Sequence, residues 1–467
     1  MSSEPVSPKE PSASRSSILA LALVASVALA LIAAALMFGG ALPGLAPQPD
    51  DEDYGPAEFA FRLASFAELS GWREDHQADA LDAFLISCAR MRNQPDEAPA
   101  NPVEALGPRA LAGLRATSVA GTVGDWRAGC AAAEDAMKPL YADAFARDAA
   151  ARAVLEAHFR PLQILAVRPP KPDGPARNHP PLTQTAGRFT GYYEPVYDAS
   201  RAPTSAHAAP VFARPDDLVM VDLGRFREAL AGQRIAGYVE NGSLVPYPDH
   251  KAINEGALGP RERPLAYMNP DDLLFLQIQG SGRLRFEDGA EMRVGYDGQN
   301  GHPYFAVGKA LIERGAVARE AMSMQAIRRW LAAAKPEEAR ALRETNPSYV
   351  FFRPLTVENP GLGPLGSEGV QLTPGRSLAV DRRFHPMGAP VWVEIEGRED
   401  EAGDEPPLRQ LFIAQDSGGA ISGPVRGDIF FGAGDEAGEE AGGFNSMGGM
   451  YVLTPAPVAA RLAAGAP

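Results

Sequence analysis

The sequence predicts a mainly β protein with an α-helical N-terminal region. Two observations carry this. Apolar residues recur three and four apart in the first part of the chain, as on one helix face. After a Pro-rich stretch at residues 168–183, short apolar runs alternate with Gly, Asn and Asp turns, the pattern of strands joined by tight connections. A third observation sits ahead of both: residues 18–38 form an uncharged apolar run of 21.

That run, as a helix, rises about 30 Å, the thickness of a bilayer's hydrocarbon core. Lys9 and Arg15 precede it, and Asp50, Asp51, Glu52 and Asp53 follow. The positive-inside rule then puts residues 1–17 in the cytoplasm and the remainder outside. The preferred reading is an uncleaved inner-membrane anchor with the body on the periplasmic side of the envelope. The alternative is a signal peptide cleaved near Gly39-Gly40-Ala41 and release into the periplasm, but such apolar regions run to only about 7–15 residues. Residues 39–57 read as a linker of Gly, Pro and acidic residues.

Residues 58–160 read as helical, with Leu81, Phe84, Leu85 and Cys88 on one face. Cys88 and Cys130 are the only cysteines. In an oxidising compartment they are a candidate disulfide; two separate buried thiols are the alternative. Asn241-Gly242, between Ile235–Val239 and Leu244–Tyr247, is a hairpin signal. Leu273–Gln279 reads as a strand. A second hairpin spans Arg283–Tyr296, turning at Asp288-Gly289. Helices are expected near Tyr304–Arg314 and Ser323–Ala334. Strands follow at Tyr349–Phe352, Ser377–Val380, Pro390–Ile395, Gln410–Gln415 and Met450–Leu453. Many short strands with tight turns favour barrel architecture over a parallel α/β sheet.

The 467 residues, 45% of them apolar, suffice for two or three globular units. The formal charge of -15 argues against a nucleic-acid partner, which needs a basic face. Seven His and two Cys leave few metal ligands, so no metal and no cofactor is expected. The stretch Phe431-Gly432-Ala433-Gly434-Asp435-Glu436-Ala437 matches G-x-G-x-x-A but lacks a βαβ setting. Local signatures of a serine hydrolase, zinc peptidase, ATPase or redox enzyme are missing.

Three segments put an Asp at or near a strand end among small residues: Ala379–Arg382, Ala414–Ile421 and Arg426–Gly432, carrying Asp381, Asp416 and Asp428. Partial burial at a core edge raises a carboxyl pKa, as a general acid near neutral pH requires. A single such Asp is more often a turn or cap residue; the set carries the argument.

The set resembles the membrane-bound lytic murein transglycosylase A family. Phe189-Thr190-Gly191-Tyr192-Tyr193-Glu194-Pro195 resembles its F-T-G-Y-Y-x-P signature. Gln277–Gly282, Gly298–Tyr304 with Gly308-Lys309, Met322–Ile327 and Asn346–Phe352 match in order. The Asp segments resemble its C-terminal three-aspartate domain. The likeness covers about residues 180–455.

The resemblance implies a double-psi β-barrel catalytic domain from residues 161–198 and 345–455, with the three-aspartate part at 370–455. A smaller β domain, residues 200–340, is inserted, and glycan strands of peptidoglycan lie in the groove between the two. The implied reaction cleaves the β-1,4 bond between N-acetylmuramic acid and N-acetylglucosamine without water. The muramic acid's C6 hydroxyl attacks its own C1 and leaves a 1,6-anhydro end, so one carboxyl group suffices. By the resemblance Asp428 is that acid. Asp416 sits near it and tunes its protonation or orients a partner by hydrogen bond, and Asp381 is structural or supports from behind. Thr190, Gly191 and Tyr192 line one groove wall; Gln279, Gly280, Ser281 and Gly282 are candidates for the other, with a plain hairpin turn as the alternative. One of Tyr192 and Tyr193 is expected in the core, since strand neighbours face opposite ways. Glu194 is a weak candidate for a second carboxylate, and His302 reads as a hydrogen-bonding strut. No Cys precedes Cys88, so the lipid anchor of the family's outer-membrane lipoproteins is not expected. Two rival functions stand: an inactive peptidoglycan-binding module, and a muramidase that uses water and a second carboxylate.

Overall fold

The computed structural model describes residues 53–464 apart from 101–118, 140, 174–176, 178, 231–232, 357–358, 401–402 and 419. The expected cytoplasmic segment 1–17, the apolar run 18–38 and most of the 39–57 linker lie outside the described residues. Among the described residues no helix is long and apolar enough to cross a membrane. A small unit joins residues 53–56 to the segment after Val167. There the Gly55 N–H donates to the Pro169 carbonyl at 2.7 Å, and the Lys171 N–H to the Asp53 carbonyl at 2.9 Å.

The remaining residues form one larger unit. It opens with a strand, Glu58–Leu63, where sequence periodicity predicts helix. Phe59, Phe61 and Leu63 alternate with Ala60 and Arg62, a period of two. The strand pairs antiparallel with Phe159–Arg168, Phe59 opposite Ala166. The expected helices then follow, Gln77–Met91, Val123–Met137 and Ala144–His158. Thr122 and Asp125 cap the second with a reciprocal box, and the Asp143 carboxylate accepts from the Ala146 N–H at 2.8 Å in the third. Phe84, Trp126 and Phe159 meet at their centre, with ring centroids 5.7–6.3 Å apart. Cys88 and Cys130 are joined by a disulfide, with Cα atoms 5.6 Å apart.

One sheet runs through Glu58–Leu63, Phe159–Arg168, Asn445–Pro455, Pro390–Ile395, Leu408–Asp416, Ser377–Val380, Arg426–Ala433 and Gly187–Glu194, in that order. Gly187–Glu194 pairs again with Asn445–Pro455, Thr190 opposite Asn445, so the path of pairings returns on itself. Two of its pairs are parallel: Ser377–Val380 with Leu408–Asp416, and Arg426–Ala433 with Gly187–Glu194. Trp392, Phe412, Ile413 and Val452 fill its core. The whole is a mixed helix and strand protein, mostly β.

A second sheet takes the order Val350–Leu355, Glu291–Gln299, Ser281–Phe286, Val196–Ser200, Pro264–Met268, Ala209–Phe212. Val196–Ser200 and Val350–Leu355, which flank residues 200–340, find their partners in it. A small sheet beside it carries the Asn241-Gly242 hairpin, both residues in left-handed conformation with φ of 48° and 79°. Helices Val307–Glu313 and Met324–Ala333 lie within the expected bounds, the second capped by Ser323.

Leu273–Gln279 is not a strand. It belongs to the helix Pro270–Gln279. Asn269 accepts from the Asp271 N–H at 2.8 Å, Pro270 occupies the first turn, Asp271 and Asp272 follow, and Gly280 closes the helix at φ 80°. Leu273, Leu274, Phe275, Leu276 and Gln277 are all buried. A segment buried all round shows no amphipathic period, so its pattern alone cannot separate helix from strand.

Candidate active site

The strands Arg426–Ala433 and Gly187–Glu194 run parallel with Asp428 opposite Thr190, Ile429 opposite Gly191 and Phe430 opposite Tyr192. This register makes the Phe189–Pro195 signature face the third Asp segment. On the other side of Arg426–Ala433, Ala379 lies opposite Asp428. The short strand Ser377–Val380 also pairs with Leu408–Asp416, placing Asp416 opposite Ala379. Ala379 is small and buried, and the two carboxylates come in on either side of it.

The Thr190 hydroxyl donates to Asp428 Oδ1. Arg426 Nη2 donates to Thr190 Oγ1 at 2.8 Å, so a guanidinium polarises the hydroxyl that serves the carboxylate. Asp416 is held from three sides: by the Tyr192 hydroxyl at 2.9 Å, the Ser367 N–H at 2.9 Å and the Ser417 N–H at 2.8 Å. The Tyr192 ring lies against Phe430, centroids 5.3 Å apart. Burial pushes the Tyr192 phenol well above its ordinary range, and the Asp416 charge adds to this. The phenol stays protonated and stays a donor.

Burial likewise raises the Asp428 carboxyl above the ordinary carboxylate value. The Thr190 bond and the Arg426 charge pull it down, and Asp416 nearby pushes it up. The net direction is upward, toward the protonated acid.

Four of the residues singled out in the sequence therefore meet through hydrogen bonds: Thr190 with Asp428, and Tyr192 with Asp416. Gly191 sits between its neighbours for a packing reason. A Cβ there would lie 2.8 Å from Ala441 Cα of the helix Gly434–Gly443. Tyr193 faces that same helix, ring against Gly438.

Asp381 makes no hydrogen bond to either carboxylate among the described residues. It accepts from the Gly423 N–H at 2.8 Å and from Arg383 Nε at 2.9 Å, and so ties down the loop between Asp416 and Asp428. Burial alone would raise its pKa, but the Arg383 guanidinium and the Gly423 amide hold it below the usual range.

Gln279, Gly280, Ser281 and Gly282 lie in the second sheet's domain, at the junction of the helix Pro270–Gln279 and the strand Ser281–Phe286. Gln279 Oε1 accepts from the Tyr197 hydroxyl at 3.4 Å and borders a cavity of about 570 Å³ with Phe275, Tyr304 and Met322. Gly282 leaves room for Leu276 and Tyr197. Among the described residues no hydrogen bond links these four to Asp416 or Asp428; the left-handed φ of 80° accounts for Gly280 and close packing for Gly282.

Glu194 is buried and gripped by arginines: Arg283 at 2.8 Å, Arg293 at 2.8 Å and 3.1 Å. It pairs the end of one sheet with two strands of the other. His302 Nε2 lies 2.7 Å from the Tyr247 carbonyl. Among the described residues no group of three or more His, Cys, Asp or Glu is placed to hold a metal ion. Arg426 and Ser367 are site partners that sequence reasoning did not single out. Arg426 stands two positions before Asp428, a readable signal; Ser367 lies 49 residues from Asp416 and donates only its backbone, so nothing in the sequence marks it.

Residues 188–353 match the MltA specific insert domain and residues 376–454 the 3D domain. The membrane-bound lytic murein transglycosylase A of Escherichia coli (strain K12) is 35% identical over 283 residues, 60% of this chain and 68% of that protein. The crystal structure of MltA from Neisseria gonorrhoeae, monoclinic form, is similar with a TM-score of 0.64 and 28% identity, covering 89% of this chain and 98% of that one. The structure of E. coli MltA with bound chitohexaose is similar with a TM-score of 0.51 and 25% identity, over 89% and 100% of the two chains. With matching domains, a relative of this identity and a shared fold, the chain belongs to the membrane-bound lytic murein transglycosylase A family.

Proposed function

We propose that this protein is a lytic transglycosylase of peptidoglycan. It cleaves the β-1,4 bond between N-acetylmuramic acid and N-acetylglucosamine and leaves 1,6-anhydromuramic ends. Relatives carry that enzyme's name, and one related structure holds chitohexaose. The observation that carries the reading is the Asp428 carboxyl, half-buried, shifted toward its protonated form and bonded to Thr190.

In the proposed reaction Asp428 gives its proton to the leaving glycosidic oxygen as the bond to C1 breaks. The muramic acid's own O6 closes on C1, and the O6 proton passes to the Asp428 carboxylate. The attacking group is already on the substrate, at high effective concentration. Thr190, backed by Arg426, hydrogen-bonds the carboxylate whenever it is ionised. Asp416 stands beside the acid and is oriented by Tyr192 and the 367 and 417 amides. The water-using alternative needs a second available carboxylate; Glu194 is committed to Arg283 and Arg293, and Asp416 already accepts from Tyr192 and the 367 and 417 amides. A binding module would have no use for an acid held in this form.

The returning path of strand pairings supports reading the first sheet as a double-psi barrel, with the second sheet's domain inserted into it and a glycan groove between. Gln279, Ser281 and the adjoining glycines would form the far wall. The envelope location follows the relatives' membrane-bound name, and residues 18–38 are proposed as the inner-membrane anchor.

The test is mass spectrometry of digested peptidoglycan with wild type and Asp428→Ala side by side. Anhydro ends from wild type alone support the assignment. Reducing ends indicate a hydrolase, and turnover by the variant removes Asp428 from the role.

A further inference from the structure

The loop that orients Asp416 is fastened to the N-terminal helix by buried polar groups. Ser367 donates its N–H to Asp416, and its neighbour Glu368 donates its own to the Gln415 carbonyl at 3.1 Å. The Glu368 side chain is buried and accepts from the Ser87 hydroxyl at 2.8 Å. Ser87 stands on the helix Gln77–Met91 and in turn accepts from Gln415 Nε2 at 3.0 Å. Gln415 Nε2 also donates to the Ala83 carbonyl at 2.9 Å, and Gln415 Oε1 accepts from Ser377 Oγ at 2.6 Å. Ser87, Ser377 and Gln415 are all fully buried. Each donor has an acceptor, and the order has one direction: Gln415 to Ser87 to Glu368.

We infer that Ser87, Glu368 and Gln415 are positioning residues for Asp416, a relay through which the N-terminal helical layer sets the loop holding that carboxylate. The inference rests on the transglycosylase reading for its consequence in catalysis, but not for its geometry. Gln415 and Asp416 are adjacent on one strand, and so are Ser367 and Glu368 on the loop. A strand sends neighbouring side chains to opposite faces. Gln415 therefore points into the helical layer while Asp416 points to the reaction. Moving one end of the relay must move the other through the shared backbone. A purely apolar contact between helix and sheet would not need such directional groups, and burying them costs free energy unless each is satisfied.

Glu368 also carries a charge question. Burial pushes its carboxyl up to about 7, against the pull of Ser87, Arg90 and Arg382. Arg90 Nη1, on the same helix as Ser87, is 4.0 Å from Glu368 Oε1, and Arg382 follows the strand Ser377–Val380. These two arginines are the charged groups that bear on it. The ionised carboxylate accepts the Ser87 bond more strongly, so protonation of Glu368 loosens the loop.

The experiment compares wild type with Glu368→Ala, Glu368→Gln and Ser87→Ala. Amide hydrogen exchange at Ser367 reads the loop directly, and kcat and KM for anhydro-muropeptide release read the consequence. In Glu368→Ala we expect Ser367 exchange to quicken and kcat to fall, each about tenfold, the effect of one buried group left unpaired. KM stays within about twofold, since ground-state contacts are untouched. Glu368→Gln, whose carbonyl still accepts from Ser87, restores both and removes any change in the Ser367 protection factor between pH 6 and 8. If Glu368→Ala does not fold, Ser87→Ala, which removes one hydroxyl, carries the same expectation. Unchanged Ser367 exchange in a folded variant overturns the relay, as does a rise in KM with kcat intact. Absence of anhydro product from wild type would sink the enzymatic reading alone, leaving the exchange result to decide the relay.

Discussion

Thr190 and Asp428 are directly opposite each other on parallel strands, and the threonine hydroxyl donates to the aspartate. They are 238 positions apart in the chain. The bond serves the ionised form of Asp428, while burial favours the neutral form. An acid that must release and regain a proton in one turnover is well served by such opposed forces, because neither state is trapped.

Replacing Asp428 with Asn or Ala removes the proton donor. Positioned proton transfer is worth about 10²–10⁴ in rate, and a loss of that order is expected in anhydro-muropeptide release. Glycan binding by Asp428→Asn should persist in a sedimentation assay with intact sacculi. Retained turnover would exclude Asp428.

The Asp428 acid works while protonated, so activity should fall as pH rises through its raised pKa. Asp416 contributes to that elevation. In Asp416→Asn the alkaline limb of the rate profile should therefore move to lower pH. Thr190→Val removes a donor that favours the ionised form, and its limb should move to higher pH, with a rate loss of roughly 10-fold or more from the missing charge-assisted bond. Profiles of kcat/KM for the three proteins check both signs.

Glu194 neutralises two arginines in a buried setting. Breaking such a pair by deleting one partner costs about 3–5 kcal/mol. Glu194→Ala should lose stability of that order in urea denaturation, and its activity should track the folded fraction. A stable, folded Glu194→Ala with no activity would instead make Glu194 part of the chemistry.

The Cys88–Cys130 bond spans 42 residues. Loop-closure entropy for that length gives roughly 4 kcal/mol of stabilisation. Cys88→Ser should lower the unfolding midpoint, and reductant should lower wild type to match while leaving the variant unmoved.

His385 is fully buried, and burial pushes its imidazole down to about 4 although its Nε2 lies near the Pro424 carbonyl. The unfolded chain binds a proton near pH 6.5. Stability from this group is therefore complete above pH 6.5 and lost as pH falls toward 4, on the order of 3 kcal/mol. His385→Gln should flatten acid denaturation in that window. An unchanged acid transition would mean other groups govern it.

Local chemistry was readable in the residues. Asn241-Gly242 makes a tight hairpin because both can adopt positive φ. Ser377–Val380 and Pro390–Ile395 are strands at the bounds read from the sequence. Leu273–Gln279 and Glu58–Leu63 depart from the sequence reading for different reasons: five consecutive buried residues, Leu273–Gln277, hide the helical period, and a six-residue strand beside longer helices offers only three alternations.

The sequence by itself determined which carboxylates and which signature residues the protein possesses, and, through their resemblance, the family. Only the tertiary structure decided that Asp428 meets Thr190, that Asp416 meets Tyr192 and Ser367, and that Glu194 is spent on Arg283 and Arg293. Such pairings cross tens to hundreds of residues. They depend on strand register, and register is a property of the packed sheet as a whole, which no local run of residues encodes.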